Sequence, residues 1–78
     1  MSVKIYSTPM CPYCIMAKAF LKQNGIKFEE IDVSKDRKAA MEMFEKSGQT
    51  GVPVLDINGK IITGFDKEAI KKELKIKA

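Results

Sequence analysis

The stretch Thr8-Pro9-Met10-Cys11-Pro12-Tyr13-Cys14 holds both cysteines of the 78-residue chain and two of its three prolines. Two thiols three residues apart can cycle between dithiol and disulfide, or supply half of a metal site. As a structural staple they would do little, because so short a loop hardly constrains the unfolded chain. A closed zinc site needs four ligands, and with two cysteines and no histidine a metal would have to be shared across a dimer. The redox reading is more specific. It requires one thiol placed where a thiolate is stabilised and a second held behind it.

The neighbouring elements supply both positions. Val3, Ile5 and Tyr6 are strand formers, and Pro9 closes the segment, so residues 2–7 read as a first strand with the cysteine motif in the turn after it. From Pro12 to Asn24 the pattern is helical: Met16, Ala17, Phe20 and Leu21 fall on one side, Lys18, Lys22 and Gln23 on the other, and Asn24-Gly25 ends the run. Cys11 is then at the helix N-terminus, where unpaired N–H groups and the dipole favour an anion, and it should be nucleophilic near neutral pH without a histidine. Pro12 starts the helix without wasting a donor and leaves the amides of Tyr13 and Cys14 directed at the Cys11 sulfur. Lys18 adds a weak long-range contribution. Cys14, nearly one turn on and at the edge of the apolar face, should be less exposed. Cys11 is therefore expected to attack a disulfide and Cys14 to resolve the mixed disulfide.

The remaining elements follow in order. Residues 26–33 read as a second strand, Ser34 as the N-cap of a helix running to Ser47 with Ala40, Met43 and Phe44 as its apolar stripe, and Gly48 as its stop. "PVLDI" and "KIIT" flank Asn58-Gly59, which favours a two-residue type I′ hairpin because both central positions need positive φ. Asp66 caps a last helix whose Ile70 and Leu74 face inward. The fold class expected is α/β: β-α-β-α-β-β-α with a four-stranded mixed sheet, the first two strands parallel in a right-handed βαβ unit. A proline such as Pro53 at a strand start ordinarily marks an edge, and X-Pro bonds are ordinarily trans.

A chain this short has material for one core, so residues 1–78 are expected to form a single domain. Fourteen Lys plus Arg against ten Asp plus Glu leave a formal charge of +4, spread over helix surfaces and the tail "KKELKIKA". Stacking aromatics and phosphate-cradling loops are missing, so nucleic acid is not expected as a partner, whereas an anionic small substrate or an acidic protein suits the charge. No apolar run is long enough to span a bilayer and no h-region follows the N-terminus, so a soluble cytoplasmic protein without membrane association, working as a monomer, is expected. In that compartment a close Cys pair is redox-active or metal-binding more often than structural.

In order and spacing, "CPYC" after the first strand, "SGQTGVPV" before the third, "INGK" at the hairpin and "TGFD" before the last helix resemble the glutaredoxins over essentially the whole chain. The resemblance implies a thioredoxin-like fold with Val52-Pro53 cis beside Cys11, so that the Val52 backbone pairs with an incoming disulfide. It implies catalytic Cys11 and Cys14, glutathione as co-substrate with no bound cofactor or metal, and disulfide-containing or glutathionylated proteins as partners. It also implies a glutathione groove at Thr8, Pro12, Tyr13, Gly51, Val52, Pro53, Gly64, Phe65 and Asp66. There Tyr13 would flank the glutathionyl cysteine, the Val52 backbone would bind its main chain, and the Phe65 backbone with Asp66 would hold the γ-glutamyl end. The chain departs from the pattern at Thr8, where glutaredoxins usually carry a lysine for the glycyl carboxylate, and at Gly51, where they usually carry threonine. Arg37 and Lys38 are candidate replacement cations. Gly64-Phe65 is also similar to glutaredoxin-like reductants of ribonucleotide reductase, which take electrons from thioredoxin reductase. Glutathione-dependent reduction is the first reading and a thioredoxin-reductase-coupled carrier the second. An iron–sulfur carrier is disfavoured, because Pro12 and Cys14 suit the dithiol cycle.

Overall fold

The computed structural model describes residues 2–75, so the end of the basic tail lies outside the described residues. The elements follow the expected order: β1 (Val3–Ser7), α1 (Pro12–Gln23), β2 (Glu29–Asp32), α2 (Arg37–Ser47), β3 (Val54–Ile57), β4 (Lys60–Thr63) and α3 (Lys67–Leu74). They form a mixed sheet of order β2-β1-β3-β4, with β1 parallel to β2 and antiparallel to β3. Among the described residues no helix is long and apolar enough to cross a membrane.

Period-two alternation divides the strands between two faces. Val3, Ile5, Leu55, Ile57 and Ile62 face α1 and α3, where Ala17, Phe20, Leu21, Ile70 and Leu74 complete the larger core. Tyr6 and Val54 point the other way, against Met43 of α2. The hairpin has the expected geometry, with φ of 52° at Asn58 and 92° at Gly59 and Ile57 paired with Lys60.

Helix α1 ends as predicted. Gly25, at φ 67°, lets its own N–H reach the Lys22 carbonyl and that of Ile26 reach Leu21 at 2.9 Å, which turns the chain back so that Ile26 packs on the core.

Several expectations need correction. The first strand begins at Val3, and the second is only Glu29–Asp32, because the pairing with β1 spans Lys4–Ser7 while Ile26 and Phe28 pack on the core ahead of the ladder. The cap of α2 is Asp36, whose side chain accepts from the Ala39 N–H at 3.0 Å; the Ser34 hydroxyl is engaged instead by Asp32 Oδ1, which also accepts the Ser34 N–H at 2.9 Å. Met16 is exposed because it lies about 40° past Phe20, outside the arc of Cys14, Ala17, Phe20 and Leu21. The α2 stripe is narrower than expected: Ala39 and Met43 are buried, Ala40 is half-buried, and Phe44 faces solvent. Pro53 precedes an interior strand and not an edge, while its peptide bond to Val52 is cis, as the family resemblance implies. Being one residue ahead of the ladder, it removes no donor from it.

Candidate active site

The register of the sheet assembles the site. Tyr6 pairs with Val54 and Val54 with Thr63, so the ends of β1 and β4 and the start of β3 coincide. The segments beyond those ends, Thr8–Cys11, Val52-Pro53 and Gly64–Asp66, therefore meet at one end of the sheet. Gly64 N–H donates to the Pro53 carbonyl at 2.8 Å and ties the last two together.

Cys11 is the N-cap of α1, with extended backbone (φ −110°, ψ 107°) and Pro12 just inside the helix. Its sulfur occupies the position usually filled by a serine or aspartate oxygen and accepts the Cys14 N–H at 3.1 Å. Of the two amides expected to point at it, the bond is recorded from Cys14. The Cys11 thiol also lies 3.8 Å from the Val52 carbonyl, to which it can donate. A thiolate here would receive a charge-assisted bond at the positive end of a helix.

Cys14 is fully buried, whereas Cys11 keeps 9% of its surface open, which is the asymmetry expected. Burial pushes the Cys14 thiol from the ordinary 9.0 to about 11, and the neighbouring Cys11 side chain adds to the rise; the Thr8 amide and Lys18 act in the opposite direction. Lys18 pairs with Glu30 at 2.7 Å, so the charge it presents to Cys14 is shared with a carboxylate.

The other groove candidates fall around this pair. Pro12 and Tyr13 are exposed on the first turn of α1, Thr8 is half-buried, Gly51 is exposed, and Val52-Pro53 lies against Cys11. Phe65 is half-buried and meets Phe20 edge-to-face with centroids 6.0 Å apart. Asp66 caps α3 by accepting from the Ala69 N–H at 3.1 Å, which leaves its other carboxylate oxygen at the exposed helix end. Lys38 lines a cavity of about 230 Å³ with Lys4, Tyr6, Glu29, Ile31 and Glu42, none of them a groove candidate. Arg37 is exposed at the first position of α2.

A CxxC at a strand-to-helix turn, facing a cis-proline loop, is the arrangement that the comparisons with known proteins place in a family. The glutaredoxin family model matches residues 3–62. The chain belongs to the glutaredoxin family. An uncharacterized glutaredoxin-like protein of 8.6 kDa in the rubredoxin operon of Clostridium pasteurianum is 49% identical over 70 residues, 90% of this chain and 93% of that one. Glutaredoxin 3 of Escherichia coli is 38% identical over 65 residues, 83% of this chain and 78% of its own. The structure superposes on that of NrdH-redoxin from Escherichia coli, a glutaredoxin-like protein with a thioredoxin-like activity profile, with a TM-score of 0.82 at 26% identity over 92% of this chain and 93% of the other. The fold is thioredoxin-like, and membership of the glutaredoxins makes the chain a thiol oxidoreductase by family.

Sequence reasoning missed two features of this glutaredoxin site. Met10 is 91% exposed beside Cys11, and with Tyr13 and Met16 it leaves an apolar rim around the motif; the motif itself was the only pointer to Met10. Ser7, immediately before the motif, is buried. Only its position at the inward end of the first strand could have drawn attention to it.

Proposed function

We propose that this protein reduces protein disulfides and glutathione mixed disulfides through a Cys11/Cys14 dithiol cycle, with glutathione as the electron donor. The observation that carries the reading is the Cys11 sulfur, held by the Cys14 N–H at 3.1 Å and facing the Val52 carbonyl at 3.8 Å, while the second thiol is buried behind it. The Cys11 thiolate attacks one sulfur of the substrate; a mixed disulfide forms and the other sulfur leaves as a thiolate that takes a proton. Cys14 loses its proton and attacks Cys11, which releases the second substrate thiol and leaves Cys11 and Cys14 joined. Two glutathione molecules then return the pair to dithiol and leave as glutathione disulfide. Val52 offers the backbone of a short strand to the incoming chain. Glutathionylated and disulfide-bonded cytoplasmic proteins are the partners in this reading.

A second reading has specific support. Thr8 in place of the usual lysine, Gly64-Phe65, and the likeness to NrdH-redoxin favour a carrier reduced by thioredoxin reductase and serving ribonucleotide reductase. One assay separates the two: oxidised protein is mixed with reduced glutathione, and separately with NADPH and thioredoxin reductase. Rapid reduction by glutathione is expected. Reduction by the reductase alone would replace the first reading with the second, and a chain reduced by neither would remove both.

A further inference from the structure

Helix α2 buries Ala39 and Met43 against the sheet and turns Met41 and Phe44 to solvent, 60% and 51% exposed. At about 100° per residue Met41 stands opposite the buried pair, with Lys38 and Glu45 within about 60° on one side and Arg37 and Phe44 within about 60° on the other. The first of these flanks carries a groove of about 430 Å³ lined by Lys38, Met41, Glu42 and Glu45. The outward charges run against the helix dipole. Arg37 and Lys38 occupy the first turn, which has no acidic residue, and Glu45 lies in the last, an order that weakens an isolated helix. Among the described residues, ion pairs join Lys18 to Glu30 and Lys46 to Glu42 and Asp56, so Arg37, Lys38 and Glu45 are in none. An antiparallel second helix of the same sequence would cover the apolar side chains and give all three charges a partner.

We propose that this face is the interface of a homodimer, in which α2 packs antiparallel against α2 of a second copy about a two-fold axis level with Met41. The monomer expected from the sequence is then the dilute form. A two-fold axis perpendicular to both helices reverses one against the other and sets each flank against the same flank of the copy. Lys38 is three residues before Met41 and Glu45 four after, so Lys38 comes level with Glu45 of the second copy to within about 1.5 Å along the axis. On the other flank Arg37, four before, comes level with Phe44 of the second copy, three after, and its guanidinium can stack on the ring. Met41 meets Met41. Each flanking contact occurs twice, and the basic first turn of one helix lies at the negative end of the other, which reverses the sign of the dipole effect. The groove admits the aliphatic stem of Lys38 from the second copy. One face supplies both halves of the match, which is why the occupant is a second copy and not an unrelated chain. An 11-residue helix is about 16 Å long, so the contact buries less than the roughly 1,000 Å² of a lasting complex, and the dimer dissociates readily.

The test is sedimentation equilibrium of the full chain from about 10 µM to about 1 mM, kept reduced so that no disulfide links two chains. The average mass should rise from that of one chain toward that of two. Lys38→Glu and Glu45→Lys each set like charges face to face twice and should weaken association about tenfold or more. Mixed in equal amounts, the two variants should associate about as strongly as the wild type, because each supplies the charge that the other has lost. Met41→Asp should abolish association, since two carboxylates then meet at the axis. Lys38→Glu should melt no lower than the wild type, because an acid in the first turn follows the dipole, so its loss of association is not a loss of fold. A wild type that stays monomeric to about 1 mM, association untouched by either charge variant, or a mixture that fails to regain what the single variants lose would overturn the proposal.

Discussion

The two faces of the sheet are built on different principles. Under α1 and α3 the contacts are almost entirely between carbons, and Leu21, Ile5, Leu55 and Ile70 are fully buried. Under α2 a charged network replaces much of that packing. The Lys46 ammonium donates to Asp56 at 2.8 Å and to the Tyr6 hydroxyl at 3.0 Å and lies 3.1 Å from Glu42, which in turn accepts from Tyr6. Perturbed ionisation occurs on both faces for opposite reasons. The Asp56 carboxyl is held low by the Lys46 bond, the Glu42 carboxyl by its bonds to Tyr6 and then Lys46, and Lys46 is raised chiefly by Asp56. Cys14 is raised because its surroundings offer a charge so little. Shifted titration alone therefore does not single out a site: the set under α2 fastens a helix, and the raised thiol on α1 belongs to the CxxC motif.

The largest effect should come from opening the dry face. Leu21→Ala removes a fully buried side chain and should cost about 2–5 kcal/mol, read as a lowered urea midpoint with the slope unchanged. On the other face Lys46→Ala should cost about 1–2 kcal/mol, because Asp56 keeps its bond from the Gly59 N–H and Glu42 is open to water. A Lys46→Ala loss as large as that of Leu21→Ala would mean that the network under α2, and not only the apolar core, sustains the fold.

Alkaline titration sharpens the same contrast. The folded thiol of Cys14 is raised from 9.0 to about 11, so the fold favours its protonated form. That stabilisation is complete below pH 9 and is lost as pH rises through about 11, by roughly 2–3 kcal/mol in the reduced protein. Tyr6 is also raised, first by burial and then by its bond to Glu42, and adds to the decline above pH 10. Urea midpoints between pH 8 and 11 should therefore fall less steeply in Cys14→Ala, with Tyr6→Phe removing the later part. A Cys14→Ala slope identical to wild type would show that the site admits water.

What was legible in the sequence shares a physical character: each signal is local. Asn58-Gly59 dictates a turn by its own φ preferences, Asp66 caps through a bond to the third residue on, and Pro12 starts a helix because its ring already has the required φ. Cys11 and Cys14 share that property, being one helical turn apart. The failures came where two local candidates competed or where the partner was distant. Ser34 and Asp36 are both capping residues, and only the capture of Ser34 by Asp32 decides between them. Lys46 reaches Tyr6 across 40 positions, which periodicity cannot foresee; the Val52 carbonyl beside Cys11, 41 positions away, was expected only from the family resemblance. Ser7 is harder still, since its distinguishing feature is the partner it lacks in the folded chain.

The smallest expected effect lies at the mouth of the apolar face, where Thr8 is half-buried beside the motif. The family resemblance places a cation there for the glycyl carboxylate of glutathione, and threonine cannot supply one. Lys38, an alternative from the sequence, lines the cavity under α2 instead. A partly exposed ion pair contributes roughly 0.2–1 kcal/mol, so Thr8→Lys should lower the KM for glutathione by about 1.4- to 5-fold with kcat unchanged. Raising ionic strength should shrink the gain, because such a pair is screened within about 10 Å at 0.1 M salt. The same variant should leave turnover with thioredoxin reductase unaltered, since no glycyl carboxylate takes part in it. If Thr8→Lys left the glutathione KM where it was, either another cation already holds that carboxylate or glutathione does not sit in this groove; repeating the measurement with the glycyl carboxylate amidated distinguishes the two, because only a cation already in place would make the wild type sensitive to that change.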